Sequence, residues 1–208
     1  MPSNKNQSMP TMGDFIWETD GNLTEDFCQS MIDKFDKDDR RYIGKVGRGI
    51  IDRDIKQTTD LKVSGLEGWE EEDQILYDAL KDGLNDYVGH CINLHSAARL
   101  SSQFEVQDTG YQIQRYEPKG FYHWHNDFQD QPKEGPRVFT FIWYLNTIPK
   151  VNKGYTEFVD GTRVQPKAGK LVFFPATWTY VHRAYPSPSK EKYICTGWIY
   201  GKVKWDTN

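Results

Sequence analysis

Only five histidines occur in 208 residues, His90, His95, His123, His125 and His182, and two of them share a short run with a carboxylate. Between Phe121 and Phe128, the residues His123, His125 and Asp127 alternate with Tyr122, Trp124 and Asn126. In a strand, alternate side chains share a face, so two imidazoles and a carboxylate would point one way and mostly aromatic groups the other. A rise of ~3.3 Å per residue puts alternate residues ~6–7 Å apart, within reach of one ion, while all three span ~13 Å. One adjacent pair is therefore expected to bind a metal, with a third ligand from elsewhere. His182, between Val181 and Arg183, is the available distant histidine. Two sets are open at this point. His123, His125 and His182 would make an all-imidazole site. His125, Asp127 and His182 would make a 2-His-1-carboxylate set suited to non-haem Fe(II), with three positions left for reactants. His90 and His95 lie beside or just after a helical pattern, with no carboxylate at strand spacing, and read as ordinary histidines.

The rest of the chain must hold these residues in place. Thr24 precedes Glu25, Asp26 and an apolar stripe of Phe27, Met31, Ile32 and Phe35, which predicts a capped helix over 24–37. Leu76, Ala79, Leu80, Leu84, Tyr87 and Val88 follow the acidic start Glu70 to Asp73 and predict a second helix over 69–88. From Gln103 onward, β-branched and aromatic residues with closely spaced turn signals predict antiparallel strands. The expected strands are 110–116, 122–127, 138–145, 156–158, 169–174, 179–183 and 193–200. Neither part alone has residues enough for a comfortable core. The fold class is accordingly α+β, one domain over 13–208, with helical support over about 13–100 packed on the outside of a barrel or sandwich core over about 103–201. Residues 1–12 read as a flexible lead-in.

Composition narrows the functional classes. A 37 % hydrophobic fraction with 14 % aromatic residues excludes a disordered chain. No apolar run approaches the ~18–20 residues of a membrane span, and no charged end followed by an apolar stretch opens the sequence. Cys28, Cys91 and Cys195 are odd in number and lack a CxxC pair, which suits a reducing compartment and argues against a structural zinc site; a cytoplasmic location is expected. A net charge of -4 supplies no basic field and disfavours a nucleic-acid partner.

Further motifs carry a resemblance. Tyr116, Gly120, Tyr122, His125 and Asp127 follow a Tyr-x-x-Gly-x-x-Tyr-x-x-His-x-Asp pattern with the glycine displaced by one position. Arg137, Thr140, Tyr144 and Leu145 follow Arg-x-x-Thr-x-x-x-Tyr-Leu; Gly154, Thr156 and Phe158 keep one glycine of a Gly-Gly-x-Thr-x-Phe turn; Pro166, Gly169 and Phe174 follow Pro-x-x-Gly-x-x-x-x-Phe. Over about residues 111–198 the chain resembles the double-stranded β-helix, or jelly-roll, core of Fe(II)/2-oxoglutarate-dependent dioxygenases, and among them the prolyl 4-hydroxylase-like branch.

The resemblance implies the following. His125, Asp127 and His182 are the Fe(II) ligands and the catalytic centre. Lys192, ten residues after His182, binds the far carboxylate of 2-oxoglutarate, with Tyr116 or Thr140 donating a hydroxyl hydrogen bond. Asp127, in place of a small residue, argues against halogenating relatives. The activity implied is O2-dependent hydroxylation of an aliphatic C–H, with release of succinate and CO2 and with ascorbate as a reductant. A peptide, protein or small molecule is the substrate, a prolyl or other peptidyl or amino-acid residue first among them. His123, Tyr122, Arg183 and Trp198 are candidates for substrate contacts or for support of the ligands. The alternative is a cupin-like metal-binding protein or isomerase that uses His123, His125 and His182 without 2-oxoglutarate.

Overall fold

The computed structural model describes residues 9–99, 104–131 and 135–203. Residues 1–8 of the expected lead-in lie outside the described residues, and its end runs into a 3-10 turn, Met12–Phe15. Helix α1, Glu25–Lys37, starts where the Thr24 hydroxyl oxygen accepts the Phe27 N–H at 3.2 Å. Acidic Glu25 and Asp26 sit at its positive end, and Lys34 and Lys37 at its negative end. Helix α2, Glu70–Leu94, outruns the expected end at residue 88. A lone glycine such as Gly89 costs only ~1 kcal/mol, and Tyr87 and Cys91 on either side of it are held by packing against the core.

The described strands are β1 Trp17–Thr19, β2 Tyr42–Ile43, β3 Thr59–Lys62, β4 Phe104–Asp108, β5 Gln112–Tyr116, β6 Tyr122–His125, β7 Asp130–Gln131, β8 Gly135–Tyr144, β9 Thr156–Phe158, β10 Arg163–Val164, β11 Leu171–Pro175, β12 His182–Ala184 and β13 Lys192–Val203. The larger sheet has the order β1-β11-β8-β13-β5-β3-β2, with β4 also on β13 and β7 on β8. The smaller sheet has the order β10-β9-β12-β6. Strand period two sorts the larger sheet's side chains to its two faces. Ile113, Phe141, Trp143, Leu171, Phe173, Tyr193 and Cys195 share one buried cluster with Cys28, Met31 and Phe35 of α1 and Leu76, Leu80 and Tyr87 of α2. Tyr87 stacks on Phe173 at 5.2 Å, and Phe35 meets Tyr193 edge-on at 6.0 Å. The residues of opposite parity, Tyr116, Ile142, Tyr144, Val172, Phe174 and Ile194, join Phe158, Val164 and Ala184 in a second cluster that fills the space toward the smaller sheet. The result is a sheet-rich α+β fold of jelly-roll type. No helix among the described residues is long and apolar enough to cross a membrane.

One turn illustrates how tightly the larger sheet is closed. Gly169, just before β11, has φ +77°, and a Cβ there would lie 2.0 Å from the main-chain oxygen of Leu23. Its own carbonyl accepts the Leu23 N–H, and its N–H donates to Tyr144. Gly169→Ala combines a left-handed backbone with a backbone collision and is expected to cost roughly 2–3 kcal/mol. Urea unfolding checks this; an unchanged midpoint and slope would contradict it.

Candidate active site

Antiparallel pairing of β6 with β12 sets His125 directly opposite His182, and their ring centroids are 4.3 Å apart. Asp127 lies two residues beyond the end of β6. Its Oδ1 is 3.8 Å from Nε2 of His125, and its Oδ2 is 3.7 Å from Nε2 of His182. These separations are too long for hydrogen bonds. One donor atom from each residue lies within 4.8 Å of the other two, and among the described residues this is the one group of three His, Cys, Asp or Glu side chains so placed.

Simple alternation along 122–127 does not produce this group. Ala184 pairs with Tyr122 while His182 pairs with His125, so β6 fits one more residue between the pairs than β12 does. Such a bulge reverses the phase of the strand. Tyr122 and His125 consequently face the same cavity, their rings stacked at 3.5 Å and 12°, whereas the His123 ring is exposed and lies against Phe121 at 4.5 Å. His123 supports the site through its main chain instead, its carbonyl accepting from Nδ1 of His125 at 2.7 Å. The all-imidazole set is not assembled.

Both histidines are oriented through Nδ1. Nδ1 of His182 is 3.0 Å from the Tyr180 carbonyl, as Nδ1 of His125 is bonded to that of His123. A carbonyl oxygen only accepts, so each Nδ1 carries a proton, which leaves Nε2 as the ring nitrogen that can present a lone pair to a metal. Burial first, and then the facing His182, push the His125 imidazole down to about 3, which keeps it neutral near pH 7. Burial alone would raise Asp127, but His182, His125, the Thr140 hydroxyl and Arg137 more than reverse this and hold its carboxyl below the usual range. Two imidazoles, each with its Nδ1 bonded to a main-chain carbonyl, and one carboxylate are a donor set that fits Fe(II).

The cavity around this group, about 40 Å³, is also lined by Tyr122, Gln114, Tyr116, Thr140, Thr156, Lys192 and Trp198. Lys192 is 3 % exposed. It donates to the Gly154 carbonyl at 3.0 Å, and its ammonium lies 4.4 Å from the centre of the Tyr116 ring. Burial lowers the Lys192 amine to about 7. The two hydroxyls expected beside it are both engaged: Tyr116 donates to Gln114 Oε1 at 3.0 Å, and Thr140 donates to Asp127 Oδ2 at 2.8 Å. Trp198 forms wall in this cavity and in an adjoining groove of about 540 Å³, where Lys56, Gln112, Tyr122, Asp127 and Arg137 join it. Arg183 lines neither space; it pairs with Glu157 at 2.7 Å and lies 4.4 Å from the Trp124 ring. Gln114 and Thr156 are not among the site residues expected from the sequence. The signal for Gln114 is parity, two residues from Tyr116 on β5, and that for Thr156 is its place in the motif over 154–158, whereas its pairing with Ala184 of β12 is seen only in the fold.

Comparison with known proteins bears on the strand core. Residues 111–200 match the family model described as the 2OG-Fe(II) oxygenase superfamily, where 2OG is 2-oxoglutarate. Over those residues the chain carries the core of a 2OG-Fe(II) oxygenase. That family uses Fe(II), 2-oxoglutarate and O2, and the oxygenase presents a His-Asp-His group of the matching chemistry. No curated protein matches its sequence. Solved structures share the fold of the oxygenase at low identity. A viral collagen prolyl hydroxylase from Paramecium Bursaria Chlorella virus-1 is 22 % identical with a TM-score of 0.63, covering 89 % of this chain and 96 % of its own. A Pseudomonas putida prolyl-4-hydroxylase is 20 % identical with a TM-score of 0.63, covering 89 % and 92 %. A prolyl hydroxylase from Trichoplax adhaerens, solved with a hypoxia inducible factor peptide fragment, is 16 % identical with a TM-score of 0.71, covering 90 % and 84 %.

Proposed function

We propose that this oxygenase hydroxylates an aliphatic C–H of a prolyl or other peptidyl or amino-acid residue. In this reading His125, Asp127 and His182 hold Fe(II), and Lys192 holds the far carboxylate of 2-oxoglutarate. The observation that carries it is the convergence of three donors with both Nδ1 protons already committed to carbonyls. When bound, Fe(II) brings O2 and the 2-oxo acid together, so that one oxygen atom enters the C–H bond and the other ends in succinate as CO2 leaves. The chain's own residues orient and enclose. The buried Lys192 ammonium offers charge-assisted hydrogen bonds that are worth most where water is excluded. Tyr122, stacked on His125, and Trp198 wall the space between the metal donors and the wider groove.

A peptide fits the open groove better than an enclosed pocket would, and one neighbour of the same fold was solved with a peptide. The segment between β2 and β3 contributes Lys45, Val46 and Gly47 to that groove and exposes Ile50 and Ile51, as a substrate cover would. The loop over 129–136, rich in Gln, Pro and Gly, is a second candidate cover, part of which lies outside the described residues. Residues 13–208 act as one domain in this reading, the two helices bracing the outer face of the larger sheet. Ascorbate as reductant and a reducing, cytoplasmic setting complete it.

Purified protein with Fe(II), ascorbate and a pool of proline-containing peptides is expected to release succinate from 2-oxoglutarate, and to add the mass of one oxygen atom to a peptide. Removing the metal with a chelator is expected to abolish both signals, and Fe(II) to restore them. Succinate release that persists in excess chelator would contradict the reading.

A further inference from the structure

Asp127 is the one member of the group that no strand ladder holds, because β6 ends at His125. Two bonds from β8 fix it instead. Thr140 donates its hydroxyl proton to Asp127 Oδ2 at 2.8 Å, and Arg137 Nη1 donates to the Asp127 main-chain carbonyl at 3.3 Å. The anchor is rigid. Thr140 is 1 % exposed and sits on an internal strand, paired with Phe174 of β11 on one side and Trp198 of β13 on the other. Arg137 is itself held, its guanidinium 3.6 Å from the Trp198 ring and its Nε donating to the Tyr200 hydroxyl at 2.8 Å. A hydroxyl has one proton, and that of Thr140 is spent on Asp127, so it is not free to donate to a co-substrate carboxylate.

We propose that Thr140 is a positioning residue for the metal ligand Asp127: its hydrogen bond holds Oδ2 and leaves Oδ1 as the single oxygen offered to the ion. The inference rests on the reading that His125, Asp127 and His182 hold the metal. Its consequence is a matter of coordination number. A carboxylate free to turn can bind an ion through both oxygens, taking a position that a facial three-ligand set leaves for reactants. With Oδ2 tethered to the larger sheet, one-oxygen binding is built in before the metal arrives. Loss of a partner of this kind typically costs 10–100-fold in metal affinity.

Co(II), a redox-stable substitute, provides the test without turnover. Wild type, Thr140→Val, Thr140→Ser and Asp127→Ala are titrated with Co(II) by calorimetry, and the visible Co(II) spectrum is recorded with and without 2-oxoglutarate. Thr140→Val is expected to weaken Co(II) binding by about 10–100-fold and to change the spectrum, while Thr140→Ser restores both. Thermal melts confirm folding, and Thr140→Ala replaces the valine variant if that one does not fold. Co(II) binding that depends on Asp127 but is unchanged in affinity and spectrum by Thr140→Val overturns the proposal and leaves the metal reading intact. Weakened 2-oxoglutarate binding with unchanged Co(II) binding also overturns it, and makes the hydroxyl a co-substrate contact. A wild type that binds no Co(II), or binds it equally well after Asp127→Ala, overturns the metal reading and the proposal with it.

Discussion

Replacing Asp127 with alanine is expected to abolish 2-oxoglutarate turnover, a fall greater than the roughly 100-fold upper range for losing a group that merely supports a ligand. The carboxylate is the sole anionic donor of the three-residue group, and without it two imidazoles must retain a divalent ion unaided. The fold should survive. Asp127 lies past the end of β6, and its removal takes away no strand hydrogen bond. The expected pattern is therefore an intact thermal transition, weak metal retention and no succinate. Metal content after gel filtration, read with turnover, checks it; near wild-type succinate release would remove Asp127 from the site.

The second large effect concerns Lys192. Lys192→Met keeps length and removes the charge, and is expected to raise the KM for 2-oxoglutarate by about 30-fold or more, equivalent to losing at least ~2 kcal/mol from a buried, hydrogen-bonded charge pair. In the ligand-free protein the sign is opposite. Burial lowers the amine from 10.5 to about 7, so between these values the unfolded chain binds a proton that the folded chain does not. Stability relative to Lys192→Met accordingly rises as pH increases from about 7 toward 10, and the penalty is fully present below about 7. Binding a carboxylate there favours the ammonium, so 2-oxoglutarate should bind with proton uptake, and its affinity should fall as pH rises above about 7. Calorimetry in buffers of different ionisation enthalpy measures that uptake. A KM unchanged in Lys192→Met, or binding with no proton taken up above pH 7, would contradict the assignment.

The sequence showed much of this, though unevenly. Helix α1 was legible to its cap because Thr24, the acidic first turn and the stripe from Phe27 to Phe35 all point the same way. The long strands were legible for a similar reason: in β8, β11 and β13 both faces are buried, and the apolar runs around Phe141, Phe173 and Tyr193 are long. The short strands β1, β2, β3, β4, β7 and β10 were not, since two to five residues carry too little pattern and owe their state to partners far along the chain. Trp17 pairs with Phe173, and Thr59 with Arg115.

The site shows a subtler limit. Spacing offers His125, Asp127 and His182 as one of two sets and the family resemblance selects it, yet alternation along a regular strand does not bring the three together. A bulge in β6 turns His123 away, and the carboxylate reaches the group from a loop tied to Thr140. Residue types survive such a change of geometry because the chemistry requires the donors, not a particular path of the backbone. The partner of Thr140 was illegible for the same reason, because a hydrogen bond between a loop and the opposite sheet leaves no periodic trace.

The central claim is that these three side chains hold one metal to which 2-oxoglutarate binds. Anaerobic titration of the Fe(II)-loaded protein with 2-oxoglutarate tests it most directly, because chelation of iron by a 2-oxo acid produces a visible charge-transfer band that neither component shows alone. The account predicts a band that saturates at one co-substrate per chain in wild type, needs far more 2-oxoglutarate in Lys192→Met and is absent in Asp127→Ala. Iron bound without any such band, or an equal band in Asp127→Ala, would contradict it.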